Sequence, residues 1–188
     1  DGHPTLYEPS RITEVKRRWR PAVSVVVPFY NAHEYFHETL ECLQQQTLED
    51  FEVVVVNDAS DAPESLAVLD QLREGRDGDG LTLRVVNREI RGDLAAARNT
   101  GVLSSRADFV FFLDPDDLIL PTALEKLCWL LINTPDAGFT YSGVEHFGAK
   151  TGVCIDEYDA ERLGRENFLT SAAMVRRDLY LRVGGMDE

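Results

Sequence analysis

The sequence FVFFLDPDDLILP, residues 109–121, is an apolar run that breaks into three carboxylates within four positions. The apolar part has the length and composition of a buried strand, and Asp114, Asp116 and Asp117 stand where that strand ends. Three acids crowded at a strand end repel one another unless a cation lies among them. Mg²⁺ or Mn²⁺ suits this place, because it takes one or two protein carboxylates and completes its shell with water and phosphate. The segment therefore predicts a metal-assisted phosphate site.

A solvated turn is the alternative interpretation of the same acids. Pro115 and Pro121 favour turns and first helical positions, and aspartate is a good N-cap residue. For a single aspartate after a strand, the turn is the simpler account. A DPDD sequence after five apolar residues, in a parallel-sheet pattern, favours the phosphate site.

Short β-branched runs alternate with segments of helical periodicity along the chain. Strands are predicted at 23–27, 51–56, 81–86 and 109–113, and helices at 32–46, 63–74, 93–105 and 121–134. Asn31 and Glu34 have the spacing of a capping box for the first helix, and Ala97 with Gly101 forms a small-residue face on the third. The pattern predicts an α/β fold with a mostly parallel sheet and helices on both faces.

The pattern loosens after Pro135. One long strand is predicted at 137–147, a helical turn at 158–164, a strand at 168–175 and a short helix at 176–183 that the two glycines after it close. We expect one domain at 23–188, preceded by a lead-in at 1–22. The abrupt end after GGMDE favours a chain that is truncated at its C-terminal side.

Composition excludes several classes of function. The formal net charge of -14 over 188 residues argues against nucleic acid or an anionic membrane as the main partner. No apolar run reaches the roughly 18 residues that span a bilayer. Three scattered cysteines predict free thiols in a reducing compartment. We expect a cytoplasmic protein, and the alternative is a peripheral position at the cytoplasmic face of the membrane.

Ligands of parallel sheets bind beyond the carboxyl ends of the strands. That rule selects four loops, at 28–31, 57–61, 87–93 and 114–117. Five segments in and around them resemble the inverting family 2 glycosyltransferases, which have the nucleotide-sugar-binding GT-A fold. They are VSVVVPFYN at 23–31, VVVVNDASD at 53–61, LAAARNTG at 94–101, FLDPDD at 112–117 and the late VRRDLYLRVGGMDE.

The resemblance implies a role for each matching residue. Asp58 matches the acid that accepts a hydrogen bond from the N3–H of uracil, and Pro28 and Tyr30 match positions that line the base and ribose pocket. Asp114 and Asp116 match the outer acids of the DxD motif. Asp116 is then the direct ligand of Mn²⁺ or Mg²⁺, and Asp114 lies near the ribose or the metal shell.

For several neighbouring residues two interpretations stay open. Arg98 either approaches the diphosphate of the nucleotide or ties adjacent loops to the sheet. Arg88 and Arg91 are phosphate candidates or solvated charges, and Asp117 orients the metal ligands from behind them. Asp58 has an ordinary turn cap as its alternative.

The mechanism implied by the resemblance is direct displacement of a nucleoside diphosphate, with inversion, by a hydroxyl of a saccharide, lipid or protein acceptor. The general base of such enzymes comes from an acidic pair beyond the GGxDE segment, so we expect the base to lie beyond Glu188. A donor-binding fragment without transfer activity is one alternative. A haloacid-dehalogenase-like phosphatase is another, with Asp114 as nucleophile and Asp116 as general acid, but it needs a later lysine, for which Lys150 is poorly placed.

Overall fold

The computed structural model describes residues 20–75, 80–148, 151–166, 169 and 172–188. The strands are β1 Val23–Phe29, β2 Phe51–Asn57, β3 Thr82–Asn87, β4 Phe109–Phe112, β5 Phe139–Tyr141, β6 Val144–His146, β7 Gly152–Cys154 and β8 Ala173–Arg176. The helices are α1 Phe36–Gln44, α2 Pro63–Arg73, α3 Leu94–Ser104, α4 Ala123–Asn133, α5 Ala160–Leu163 and α6 Arg177–Val183. Most of the predicted lead-in, Lys150 and the first part of the strand predicted at 168–175 lie outside the described residues.

The central sheet has six strands in the order β3-β2-β1-β4-β8-β5. The first four are parallel, whereas β8 is antiparallel to both β4 and β5. Register pairs Phe29 with Asn57 and Asn57 with Asn87, so the carboxyl ends of β1, β2 and β3 are level. The predicted mostly parallel sheet is confirmed, and its parallel strands present their loops at one edge.

Helices cover both faces of the sheet because its inner strands are apolar on both sides. On one face, residues such as Val25 and Val53 pack with apolar side chains of α1, α2 and α4. On the other, residues such as Val26 and Val110 pack with α3 and with Tyr180 of α6. Gly101 of α3 lies directly on Val26, and a Cβ there would overlap that side chain. The small-residue face of α3 thus packs closely on the sheet.

The predicted capping box before α1 is wrong. Tyr35 is the N-cap residue of that helix, and Asn31 lies earlier in the loop with a left-handed φ of 50°. The Asn31 side chain turns to the loop before α2 instead. Its Oδ1 accepts hydrogen bonds from the amides of Asp61 and Ala62, and its Nδ2 donates to Asp61. Asn31 therefore joins two loops at the carboxyl edge of the sheet.

The single strand predicted at 137–147 is also wrong. It is two strands in different sheets, since β5 pairs with β8 and β6 pairs with β7. Gly143 lies at the break, where a Cβ would come within 2.8 Å of Ile155. The predicted helix at 176–183 is confirmed as α6, which ends at Gly184 with a left-handed φ of 95°.

The cysteines are free, as the sequence predicts. Cys128 is buried in α4, and burial raises the pKa of its thiol to about 12. Cys42 is half-buried, and burial raises the pKa of its thiol as well. Within the described part of the chain, no helix is long and apolar enough to cross a membrane.

Candidate functional site

A cleft of about 260 Å³ opens beyond the carboxyl ends of β1, β2 and β4. Most of the predicted site residues line it together, although they are far apart in sequence: Pro28, Tyr30, Asp58, Asp114 and Asp116. Residues Arg91–Leu94, from the loop before α3 and its first turn, form another wall. The level ends of the parallel strands bring these loops to one place.

Asp58 is buried at the base of the cleft, with 5% of its surface exposed. Its carboxylate pairs with Arg88 Nε at 3.0 Å and accepts a hydrogen bond from the Gly92 amide at 3.0 Å. A Cβ at Gly92 would come within 2.6 Å of the Arg88 guanidinium and 2.8 Å of Ala96, so this position has no room for a side chain. Asp58 thereby holds the β3–α3 loop, and a carboxylate has lone pairs for one more donor.

The sequence does not predict Gly92 as a site residue. One feature of the sequence points to it: Gly92 directly precedes Asp93, whose side chain caps α3 by accepting from the Ala96 amide at 2.8 Å. A glycine next to a helix cap at a strand end is a place where backbone amides are presented. The contact with Asp58, however, spans more than thirty positions of the chain.

The two arginines of this loop differ in their surroundings. Arg88 forms an ion pair with Asp58 and also donates to the Thr100 hydroxyl at 3.4 Å. Arg91 is exposed and lines the cleft, with its guanidinium 3.8 Å from the centre of the Tyr30 ring. This cation–π contact keeps a positive charge at the opening of the cleft, between the loops.

The acidic turn after β4 is held from behind by α1. The buried Thr39 hydroxyl lies 2.9 Å from the Pro115 carbonyl and 3.1 Å from the Asp117 carbonyl, and these two carbonyls share its single proton. Asp114 and Asp116 face the cleft. Loss of solvent raises the pKa of the Asp117 carboxyl, and the charges of Asp114 and Asp116 raise it further. The turn therefore concentrates negative charge beside an open space.

Arg98 lies behind this turn and does not line the cleft. Its side chain is 8% exposed, and Nη2 donates to Asp114 Oδ1 at 2.7 Å. This geometry supports the interpretation that Arg98 ties α3 to the loop after β4. Its direct contact with a diphosphate stays a prediction.

The acidic turn is a candidate site for a divalent ion. In the part of the chain that the structure describes, no three His, Cys, Asp or Glu side chains are grouped to hold a metal by themselves. Two carboxylates beside an open cleft do suit Mg²⁺ or Mn²⁺, because these ions keep several shell positions for water and phosphate oxygens. The donor set fits a metal shared with a ligand.

Comparison with known proteins decides the family. The family model described as glycosyl transferase family 2 matches residues 24–163. This chain belongs to glycosyltransferase family 2. The O-antigen biosynthesis protein RfbC of Myxococcus xanthus is 30% identical over an alignment of 193 positions, which covers 96% of this chain and 15% of that protein. The phosphatase alternative has no support from these findings.

Solved structures share the fold of this family 2 chain. TarS 1–349 of S. aureus, in complex with UDP-GlcNAc, superposes with a TM-score of 0.68 at 22% identity, over 86% of this chain and 47% of that one. The mannosyltransferase PcManGT of Pyrobaculum calidifontis, in complex with GDP-Man and Mn²⁺, gives a TM-score of 0.68 at 24% identity, over 95% and 54%. The fold is GT-A, and the chain spans about half of each of these solved chains.

Proposed function

We propose that this chain binds a nucleoside-diphosphate sugar together with a divalent ion, as the donor part of an inverting glycosyltransferase, and that the donor is a UDP-sugar. The observation that carries the proposal is the single cleft that joins Tyr30 and Asp58 to Asp114 and Asp116. The flat ring of Tyr30 and the buried carboxylate of Asp58 suit a nucleotide base, which stacks on rings and donates hydrogen bonds. The carboxylates of Asp114 and Asp116 suit a divalent ion that is bound to a diphosphate. Relatives of the same fold are complexed with UDP-GlcNAc and with GDP-Man and Mn²⁺.

Recognition of uracil follows from Asp58. The N3–H of uracil is a donor, and the Asp58 carboxylate already lies fixed by Arg88 and Gly92. Such a fixed acceptor favours a base with a donor at that position, because a base without one leaves a remaining lone pair of the buried carboxylate without a donor. Pro28 and Tyr30 line the pocket for the base and ribose, and the Arg91 charge attracts the diphosphate.

Asp116 is the proposed direct ligand of Mn²⁺ or Mg²⁺, and Asp114 is the second ligand or the partner of the ribose. When bound, the ion stabilises the charge that develops on the departing diphosphate. Arg98 donates to Asp114 and holds its carboxylate at the cleft. An acceptor hydroxyl attacks the anomeric carbon from the side opposite the diphosphate and inverts it, and a general base takes the hydroxyl proton.

Calorimetry tests this function with UDP, GDP, CDP and ADP, each in Mn²⁺ and in EDTA. UDP in Mn²⁺ is expected to bind most tightly. Asp116→Asn removes charge but keeps shape, so it is expected to weaken UDP binding in Mn²⁺ by about tenfold or more and to change little in EDTA. The exposed Asp136, in the turn after α4, gives the matched control Asp136→Asn. Equal UDP affinity of parent and Asp116→Asn in Mn²⁺ would overturn the metal assignment, and tighter GDP binding would overturn the UDP assignment.

A further inference from the structure

Asn99, on α3 directly after Arg98, binds the far end of the chain. Its Nδ2 donates to the Met186 carbonyl and to Glu188 Oε1, both at 2.9 Å. Its Oδ1 accepts from the Met186 amide at 3.0 Å and from the Tyr180 hydroxyl at 2.7 Å. An asparagine side chain has two N–H donors and two acceptor lone pairs. Both donors and both acceptor lone pairs of the Asn99 side chain are therefore bonded to α6 and the residues that follow it.

The path of the chain brings this end to the functional edge of the sheet. β8 runs antiparallel to β4, so α6 starts at the amino end of β4, where the Arg177 amide donates to the Asp108 carbonyl at 2.9 Å. The helix then returns toward the carboxyl end. Tyr180 packs on Phe112, the last residue of β4, with ring centres 5.6 Å apart. Residues 184–188, which we name the glycine segment, thus lie near the carboxyl end of β4, the strand that the acidic turn follows.

The glycine segment is shaped for close approach to Asn99. Gly184 and Gly185 have left-handed φ values of 95° and 84°, a conformation that residues with a Cβ adopt at a cost. A Cβ at Gly185 would lie 2.5 Å from Asn99 Oδ1. The two glycines therefore permit the turn and the contact that holds Met186.

The contacts at this edge follow the order of the strands. The candidate base pocket, with Tyr30 and Asp58, lies over the ends of β1 and β2, and the acids follow β4. The glycine segment follows α6, whose Tyr180 packs on the last residue of β4, and Asn99 adjoins the arginine that holds Asp114. A donor with its base at Asp58 and its diphosphate at Asp116 would run along this edge from β2 toward β4, so its sugar would lie near the end of β4.

We propose that Asn99 is a positioning residue that fixes the glycine segment as a wall of the subsite for the donor's sugar. This inference rests on the proposed function. The exposed carboxylates of Asp187 and Glu188 supply acceptors for sugar hydroxyls, since ionised carboxylates accept strong hydrogen bonds. Asn99 acts through the backbone of Met186 and the side chain of Glu188.

The test compares UDP with UDP-sugars in Mn²⁺ by calorimetry, using the tightest binder among UDP-glucose, UDP-galactose and UDP-N-acetylglucosamine. Asn99→Ala is expected to weaken binding of that UDP-sugar by about tenfold and binding of UDP by less than about twofold. Amide exchange in a peptide covering 180–188 is expected to be faster in this variant, because the Met186 amide loses its acceptor. Asn133→Ala, which removes an asparagine bonded within α4, is the matched control and leaves both measurements unchanged.

Gly185→Ala is expected to displace the glycine segment while Asn99 is unchanged. It therefore tests the role of the segment even if the Asn99→Ala variant does not fold. It is expected to reproduce the selective loss of UDP-sugar affinity. Equal losses for UDP and UDP-sugar, or no loss for either, would overturn the sugar-subsite assignment while leaving the proposed function in place. Failure of the parent chain to bind UDP at all would overturn both.

Discussion

At the scale of single residues, the pair of Arg98 and Asp114 connects the interior to the cleft. The arginine side chain is 8% exposed and the aspartate side chain 24% exposed, with 2.7 Å between Nη2 and Oδ1. A charge that is mostly removed from water is costly unless it is paired. The pair thus fixes one of the two cleft carboxylates, while Asp116 stays exposed and open to a ligand.

A double-mutant cycle measures this pair. Arg98→Gln is expected to lower the free energy of unfolding by about 1 to 3 kcal/mol, because it leaves Asp114 without its charged donor. Asp114→Asn relieves part of that loss, so the double variant Arg98→Gln, Asp114→Asn is expected to be more stable than the sum of the single effects. Urea unfolding of the four proteins at neutral pH gives the coupling energy. Strict additivity would show that the two side chains do not stabilise each other.

At the scale of elements, α3 carries the parts of the site that the strands do not. Asp93 caps the helix, and the first turn lines the cleft. Further along, Arg98 donates to Asp114 of the acidic turn, and Asn99 donates to Met186 after α6. The helix can do this only because it lies close to β1. Gly101 on Val26 sets that distance.

Gly101→Ala separates helix propensity from packing. Alanine in an exposed helix interior is better than glycine by about 1 kcal/mol, so propensity alone predicts a more stable protein. Overlap with Val26 predicts the opposite, a loss of about 1 to 3 kcal/mol. We expect the loss in urea unfolding, together with weaker UDP binding as α3 moves outward.

Val26→Ala makes room for the new methyl group and serves as the control for Gly101→Ala. The double variant is expected to recover part of the stability that the two single variants lose together. A stability gain for Gly101→Ala alone would mean that α3 does not rest on β1 at this point.

At the scale of the whole molecule, the dominant property is the excess of acidic over basic residues. The formal net charge is -14, and the cleft adds its own crowded acids. Self-repulsion of this size opposes the compact state, whereas single exposed ion pairs contribute little. A divalent ion at the acidic turn would relieve part of this repulsion, because the charges of Asp114 and Asp116 act on Asp117 there.

Salt is therefore expected to stabilise the protein. The Debye length falls from about 30 Å at 0.01 M to about 8 Å at 0.15 M ionic strength, so repulsion across the surface is screened. We expect the thermal midpoint to rise by a few degrees between these two conditions, equally in NaCl and KCl. A midpoint that falls with salt would show that favourable ion pairs outweigh the net charge. MgCl₂ at matched ionic strength is expected to raise the midpoint further.

The sequence by itself determined the alternation of strands and helices, the GT-A resemblance and most of the cleft. Apolar runs with helical segments between them indicate a parallel sheet, and the strand ends of such a sheet share one edge. For that reason the sequence predicts that Tyr30, Asp58, Asp114 and Asp116 lie close together, and the structure brings all four to one cleft. Their roles toward a donor stay predictions.

Only the tertiary structure decided which distant partner each polar side chain takes. Asn31 has the spacing to cap α1 but bonds to the loop before α2, and Glu52, within the apolar strand β2, is 2% exposed and accepts from Ser24 and the Arg106 amide, each at 2.7 Å. Local spacing carries no information about such contacts. A buried polar group takes whichever partner the packed elements bring within reach, and that choice is made when α3, the sheet and the glycine segment come together.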